Sequence, residues 1–72
     1  MKIEKKLVCT ESNAFDTYKI YVEEENGQIW WKAYRNDNKN YSVCVKRLDM
    51  CKKAVENLLN DSVIRNGGQY DY

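Results

Sequence analysis

The chain has 72 residues, with twelve lysines and arginines against eleven aspartates and glutamates and a formal net charge of +1. That length holds one domain and buries only about 60% of the surface its unfolded chain exposes, and the balance of charge is smaller than that of a compact, strongly basic nucleic-acid binder. Three cysteines and no histidine leave no four-ligand zinc set and no C-x2-C pair, and they remove the commonest general base and the usual catalytic triads.

Ile3 to Thr10 alternates loosely around Leu7-Val8-Cys9 and predicts a first strand, its lysines marking a sheet edge. Glu11-Ser12-Asn13 reads as a turn. Phe15 to Glu25 and Gln28 to Arg35 predict a hairpin closed by Asn26-Gly27, since a two-residue type I′ loop needs positive φ at both central positions. Closure there sets Glu25 opposite Gln28, Glu24 opposite Ile29, Glu23 opposite Trp30 and Val22 opposite Trp31. Tyr21 then meets Lys32, Ile20 meets Ala33, Lys19 meets Tyr34 and Tyr18 meets Arg35. Alternation places Tyr18, Ile20, Val22, Trp31 and Ala33 on a core face, and Lys19, Tyr21, Glu23, Trp30, Lys32 and Tyr34 on the opposite face.

Asn36 to Asn40 is a polar, turn-prone loop, and Tyr41 to Arg47 alternates again. Tyr41, Val43 and Val45 are expected on the core side, and Ser42, Cys44 and Lys46 on the other. The period changes after Leu48. Asp49 is the expected N-cap, and Cys51, Ala54, Val55, Leu58, Leu59 and Val63 form the apolar stripe of a helix. Lys52, Lys53, Glu56, Asn57 and Asn60 cover its other side, and Asn66-Gly67-Gly68 supplies the stop. The order β-β-β-β-α gives a two-layer α+β domain over residues 1 to 66, an antiparallel sheet of three to four strands with one C-terminal helix packed on one face. Residues 67 to 72 are expected as a disordered tail.

The chemistry of catalysis is sparse. Gly27 stands alone and Gly67-Gly68 follows a helix, so no phosphate-cradling loop opens one. Of the adjacent Glu23, Glu24 and Glu25, only the first and last share a side, and a solvated hairpin tip would leave them without an environment that tunes a carboxylate. No enzymatic activity, cofactor or metal is expected. Cys9, Cys44 and Cys51 read as reduced packing residues. The first ten residues carry no apolar run of signal-peptide length, and no segment reaches the roughly 20 apolar residues of a bilayer span. A cytoplasmic protein with no membrane partner is the expectation.

A single helix covers one face of such a sheet, so the other meets solvent or a partner. Adjacent Trp30 and Trp31 put one indole on each face in any register, so one tryptophan is expected exposed. The first reading is a protein partner, bound through Trp30, Tyr21, Lys32, Tyr34, Lys19 and Glu23, because tryptophan and tyrosine dominate interface hot spots. It describes a stoichiometric inhibitor or adaptor, of the kind phages and other mobile elements encode against cellular defences. The second reading is nucleic acid, with Lys19, Lys32, Arg35, Lys46 and Arg47 on phosphates and Tyr21, Trp30 or Tyr34 stacking on bases. The element order over residues 15 to 60 resembles the Arm-site-binding domain at the amino end of some tyrosine integrases, which implies a sheet laid in the DNA major groove. The three glutamates at the hairpin tip depart from that pattern. A homodimer through the open face or an edge strand would cover the same indole.

Overall fold

The computed structural model describes residues 4–65, so the Asn66-Gly67-Gly68 stop and the expected tail over 67–72 lie outside the described residues. Within them the expected α+β architecture is present: β1 (Glu4–Ser12), β2 (Thr17–Glu25), β3 (Gln28–Arg35), β4 (Tyr41–Val45) and α1 (Leu48–Arg65). The strands form one antiparallel meander in the order β1-β2-β3-β4.

The central hairpin matches its expected register at all eight pairs, from Glu25–Gln28 to Tyr18–Arg35. Asn26 and Gly27 take φ values of 56° and 77°, the left-handed pair that a type I′ loop demands. β2 begins two residues later than the alternation implies. Asn13 folds the preceding turn by accepting hydrogen bonds from the amides of Phe15 and Asp16, both at 2.8 Å, and Phe15 stays 45% exposed. Asn36 and Asp37, at φ 47° and 63°, turn the chain between β3 and β4.

Two bulges alter the face assignments. One lies between Leu7 and Cys9, which puts Cys9 opposite Ile20 on the core side and leaves Val8 as the extra residue. The other lies at the start of β4, where Ala33 pairs with Val43 but Tyr34 pairs with Tyr41. The inserted Ser42 reverses the alternation. Tyr41 therefore leaves the side of Val43 and Val45, where it was expected, and joins the open face.

The helix crosses one face, lying more over β3 and β4 than over the other strands. Tyr18, Ile20, Ala33, Val43, Cys51 and Val55 make the core, and Cys9, Trp31, Val45, Leu48, Ala54, Leu58 and Leu59 pack around it. Each fully buried aliphatic side chain stabilises the fold by roughly 1.5–3 kcal/mol. The stripe also holds a residue with no apolar signal, Ser62, which is fully buried. Asp49 is not the N-cap: Leu48 already begins the helix, and the Asp49 carboxylate accepts from the Met50 amide at 2.9 Å and pairs with Arg47. Its charge still suits the positive end of the helix dipole.

Candidate functional site: the sheet face away from the helix

Cross-strand pairing sets out the face in rows. Leu7, Tyr21, Lys32 and Cys44 form one row, Lys5, Glu23 and Trp30 a second, and Thr10, Lys19, Tyr34 and Tyr41 a third. All six residues expected to contact a partner (Trp30, Tyr21, Lys32, Tyr34, Lys19 and Glu23) share this face. They do not share one level of exposure.

Glu23 and Tyr34 form a buried floor, at 7% and 8% exposure. The Tyr34 hydroxyl donates to one oxygen of Glu23 and the Lys32 ammonium approaches the other at 3.2 Å. The solvated carboxylate expected at this position is thus a sheltered one, because neighbouring strands raise long side chains around it. Burial, then the hydrogen bond and charge of Glu23, push the Tyr34 phenol above its ordinary value. Burial alone would lower Lys32, but its hydrogen bond to Glu23 and the carboxylate's charge outweigh that and raise it.

A layer of rings and ammonium groups closes over the floor. Tyr21 meets Tyr34 edge-to-face, with centroids 5.5 Å apart and planes at 81°. Lys5 stands over both rings, 4.6 Å from Tyr21 and 3.9 Å from Tyr34. Lys32 lies 4.9 Å from the Tyr41 ring, and Lys46 lies 4.9 Å from Trp30. Each such contact contributes about 0.5–1 kcal/mol at a surface site. The indoles divide as expected, Trp31 against the core and Trp30 on the open face, but both are half-buried and neither is bare.

What remains accessible lies at the margins of the face, where Leu7 and Tyr41 are 50% and 52% exposed. Sequence reasoning missed both, together with Lys5. Tyr41 was hidden by a bulge, and Leu7 by the loose alternation of β1.

The five residues proposed for phosphate contacts are not assembled into one surface. Arg35 belongs to the helix side of the sheet and pairs with Asp16 at 3.0 Å, and Arg47 pairs with Asp49 at 3.2 Å before the helix. Lys19 binds Asp37 at 2.8 Å and Lys32 binds Glu23. Among the described residues only Lys46 of the five lacks a carboxylate partner.

A second polar cluster lies under the end of the helix. Asp16 is 4% exposed, and its carboxylate accepts from Ser62 Oγ, Arg35 Nε at 3.0 Å and Asn36 Nδ2 at 3.2 Å. The Ser62 hydrogen bond, helped by Arg35 and Asn36, holds this carboxyl below its ordinary value against the opposing effect of burial. Asn13 completes the tie by donating to the Leu59 carbonyl at 2.8 Å. All three cysteines are free thiols, and burial pushes Cys51 up to about 11. Among the described residues no three metal-ligating side chains converge and no helix is long and apolar enough to cross a membrane. Comparison with protein-family models, with curated proteins and with solved structures returns no match.

Proposed function

We propose that the protein is a non-catalytic binding module whose open sheet face docks on another protein, acting stoichiometrically as an inhibitor or adaptor. The observation that carries this reading is an aromatic face that no element among the described residues covers, with half-buried Trp30 toward the hairpin tip and exposed Leu7 and Tyr41 at its margins. Glu23 and Tyr34 hold the surface flat from below, while Tyr21, Trp30, Tyr41 and Leu7 supply contact area and Lys5, Lys32 and Lys46 a charged rim. Large, rigid side chains on a preorganised sheet lose little conformational freedom on docking, which favours affinity.

Nucleic acid is the weaker reading on two grounds. Four of its five candidate phosphate contacts are already paired with the chain's own carboxylates, so few counterions would be released on binding. The aromatic rings also carry ammonium groups where bases would stack.

The test compares captured partners of the wild-type chain and of Trp30→Ala, with affinity then measured on the purified pair. Loss of about 2 kcal/mol or more for Trp30→Ala is expected. If Trp31→Ala abolishes binding in a folded protein while Trp30→Ala does not, the docking face has been misassigned. Retention of generic DNA or RNA at low salt, lost at moderate salt, would move the proposal to nucleic acid.

A further inference from the structure

The chain is close to neutral, but its charge is divided unevenly between the two sides of the sheet. Glu4, Glu11 and Glu24 have no basic partner among the described residues, and cross-strand pairing puts all three on the helix side. The middle of the open face is the reverse. Lys5, Lys32 and Lys46 stand there against one carboxylate, Glu23. That carboxylate is buried, and it is already engaged by the Tyr34 hydroxyl and by Lys32, so its charge is spent beneath the ammonium layer. Lys19 is matched by Asp37 at one end of the face, and Glu25 lies on the same side at the other end, beside the hairpin turn.

The ammonium groups are also held in place. Lys5 rests on the rings of Tyr21 and Tyr34, Lys32 on Tyr41, and Lys46 on Trp30. A ring engages one side of an ammonium and leaves N–H donors pointing outward. Lys5 and Lys46 are exposed and have no carboxylate partner among the described residues, so each keeps donors for a group brought by another molecule. A lysine already lodged on a ring has less rotamer freedom to lose when it binds. Half-exposed Leu7 and Tyr41 add apolar surface beside them.

We infer that the open face takes an acidic segment of another protein, one in which aspartates or glutamates alternate with apolar side chains. This inference rests on the docking role proposed above for the same face and gives the partner a chemistry. Carboxylates of the segment would accept charge-assisted hydrogen bonds from Lys5 and Lys46. Its apolar side chains would pack on Leu7, Trp30 and Tyr41. A basic segment would meet three ammonium groups with the balancing carboxylate out of reach beneath them. A nucleic acid could offer phosphates to the same lysines, but its bases would find an aliphatic side chain at Leu7 and rings capped at Tyr21 and Tyr34.

The test titrates the full chain with three probes, followed by tryptophan fluorescence and by the amide and indole signals of an isotopically labelled sample. The probes are a short peptide alternating glutamate with leucine or tyrosine, the same peptide with glutamine for glutamate, and a single-stranded oligonucleotide of equal charge. The acidic peptide should bind at least about tenfold more tightly than its glutamine counterpart, and that margin should shrink as salt is raised. Its signal changes should centre on Lys5, Trp30, Tyr41 and Lys46. Lys5→Gln combined with Lys46→Gln, both at exposed positions, should erase the margin. Equal binding of the two peptides, or no binding of either at millimolar concentration, overturns the inference. Tighter binding of the oligonucleotide overturns it too and gives the lysines to phosphate. These titrations need no variant to fold. A protein captured through Trp30 that binds equally at low and high salt, and equally to the doubly substituted chain, keeps the docking face and overturns only its acidic preference.

Discussion

Two sheltered carboxylates among the described residues are built from the same parts, and they serve different ends. Asp16 is joined by a hydroxyl (Ser62) and a guanidinium (Arg35), and Glu23 by a hydroxyl (Tyr34) and an ammonium (Lys32). Asp16 is hidden because the helix end comes down over it, and its partners come from the end of β3, the turn that follows it and α1. It is a tie between layers. Among the described residues, Glu23 is hidden only by the sheet itself, with Lys5 and the tyrosine rings above it and no helix on that side. Where a helix shelters a charge the result is an interior; where side chains do so alone the result is a stiff, patterned surface.

A third carboxylate without such partners would mark the limit of both arrangements. Val55→Asp places one in the fully buried core, and the expected cost of about 4 kcal/mol or more should remove the cooperative thermal transition seen by circular dichroism. Asp16→Asn should come next, lowering the melting temperature by several degrees because Ser62, Arg35 and Asn36 lose a common acceptor. The pH dependence has a definite sign. Asp16 has a folded value below its ordinary 3.8, so its contribution is complete above that pH and is lost as the pH falls through the lower folded value. The gap in stability between wild type and Asp16→Asn should therefore hold at neutral pH and close in acid below 3.8.

Tyr34→Phe probes the other carboxylate and should cost about 1–3 kcal/mol, since Glu23 then keeps only Lys32. Its dependence lies at the opposite end of the scale. Tyr34 and Lys32 are both raised above their ordinary 10.0 and 10.5, so the stability they contribute is complete below those values and is lost as the pH climbs through the raised folded ones. A phenolate absorbance titration should accordingly show one tyrosine ionising after the others, and that late step should vanish in Tyr34→Phe. The smallest effect on folding belongs to Trp30→Ala, about 1 kcal/mol from a half-buried ring and its lysine contact. A much larger loss would mean that the ring is part of the core, and the contrast between tie and surface would fail.

The hairpin was readable from Asn26-Gly27 alone, because a two-residue turn fixes pairing and pairing fixes faces. That inference extended to the six residues of the open face, since all of them lie on the two strands that the turn aligns. Tyr41 escaped it because the bulge at Ser42 depends on how neighbouring strands settle and no local residue pattern announces it, and Leu7 because β1 alternates too loosely to assign its faces. The Asp16–Ser62 tie escaped for another reason: its partners lie 46 residues apart, and a serine on a helical stripe gives no sign of being core. The same limit hid the sheltering of Glu23, whose lid is contributed by Lys5 from a strand not adjacent to the Asn-Gly turn.

The claim that the open face is a docking surface is tested most directly by placing a photo-crosslinking amino acid at position 30 or 41, on that face, and at position 53, on the outside of the helix, in the cell of origin. A discrete protein adduct at 30 and 41, missing at 53, is the expected result. Crosslinks that form only at 53, or only to nucleic acid, would contradict it.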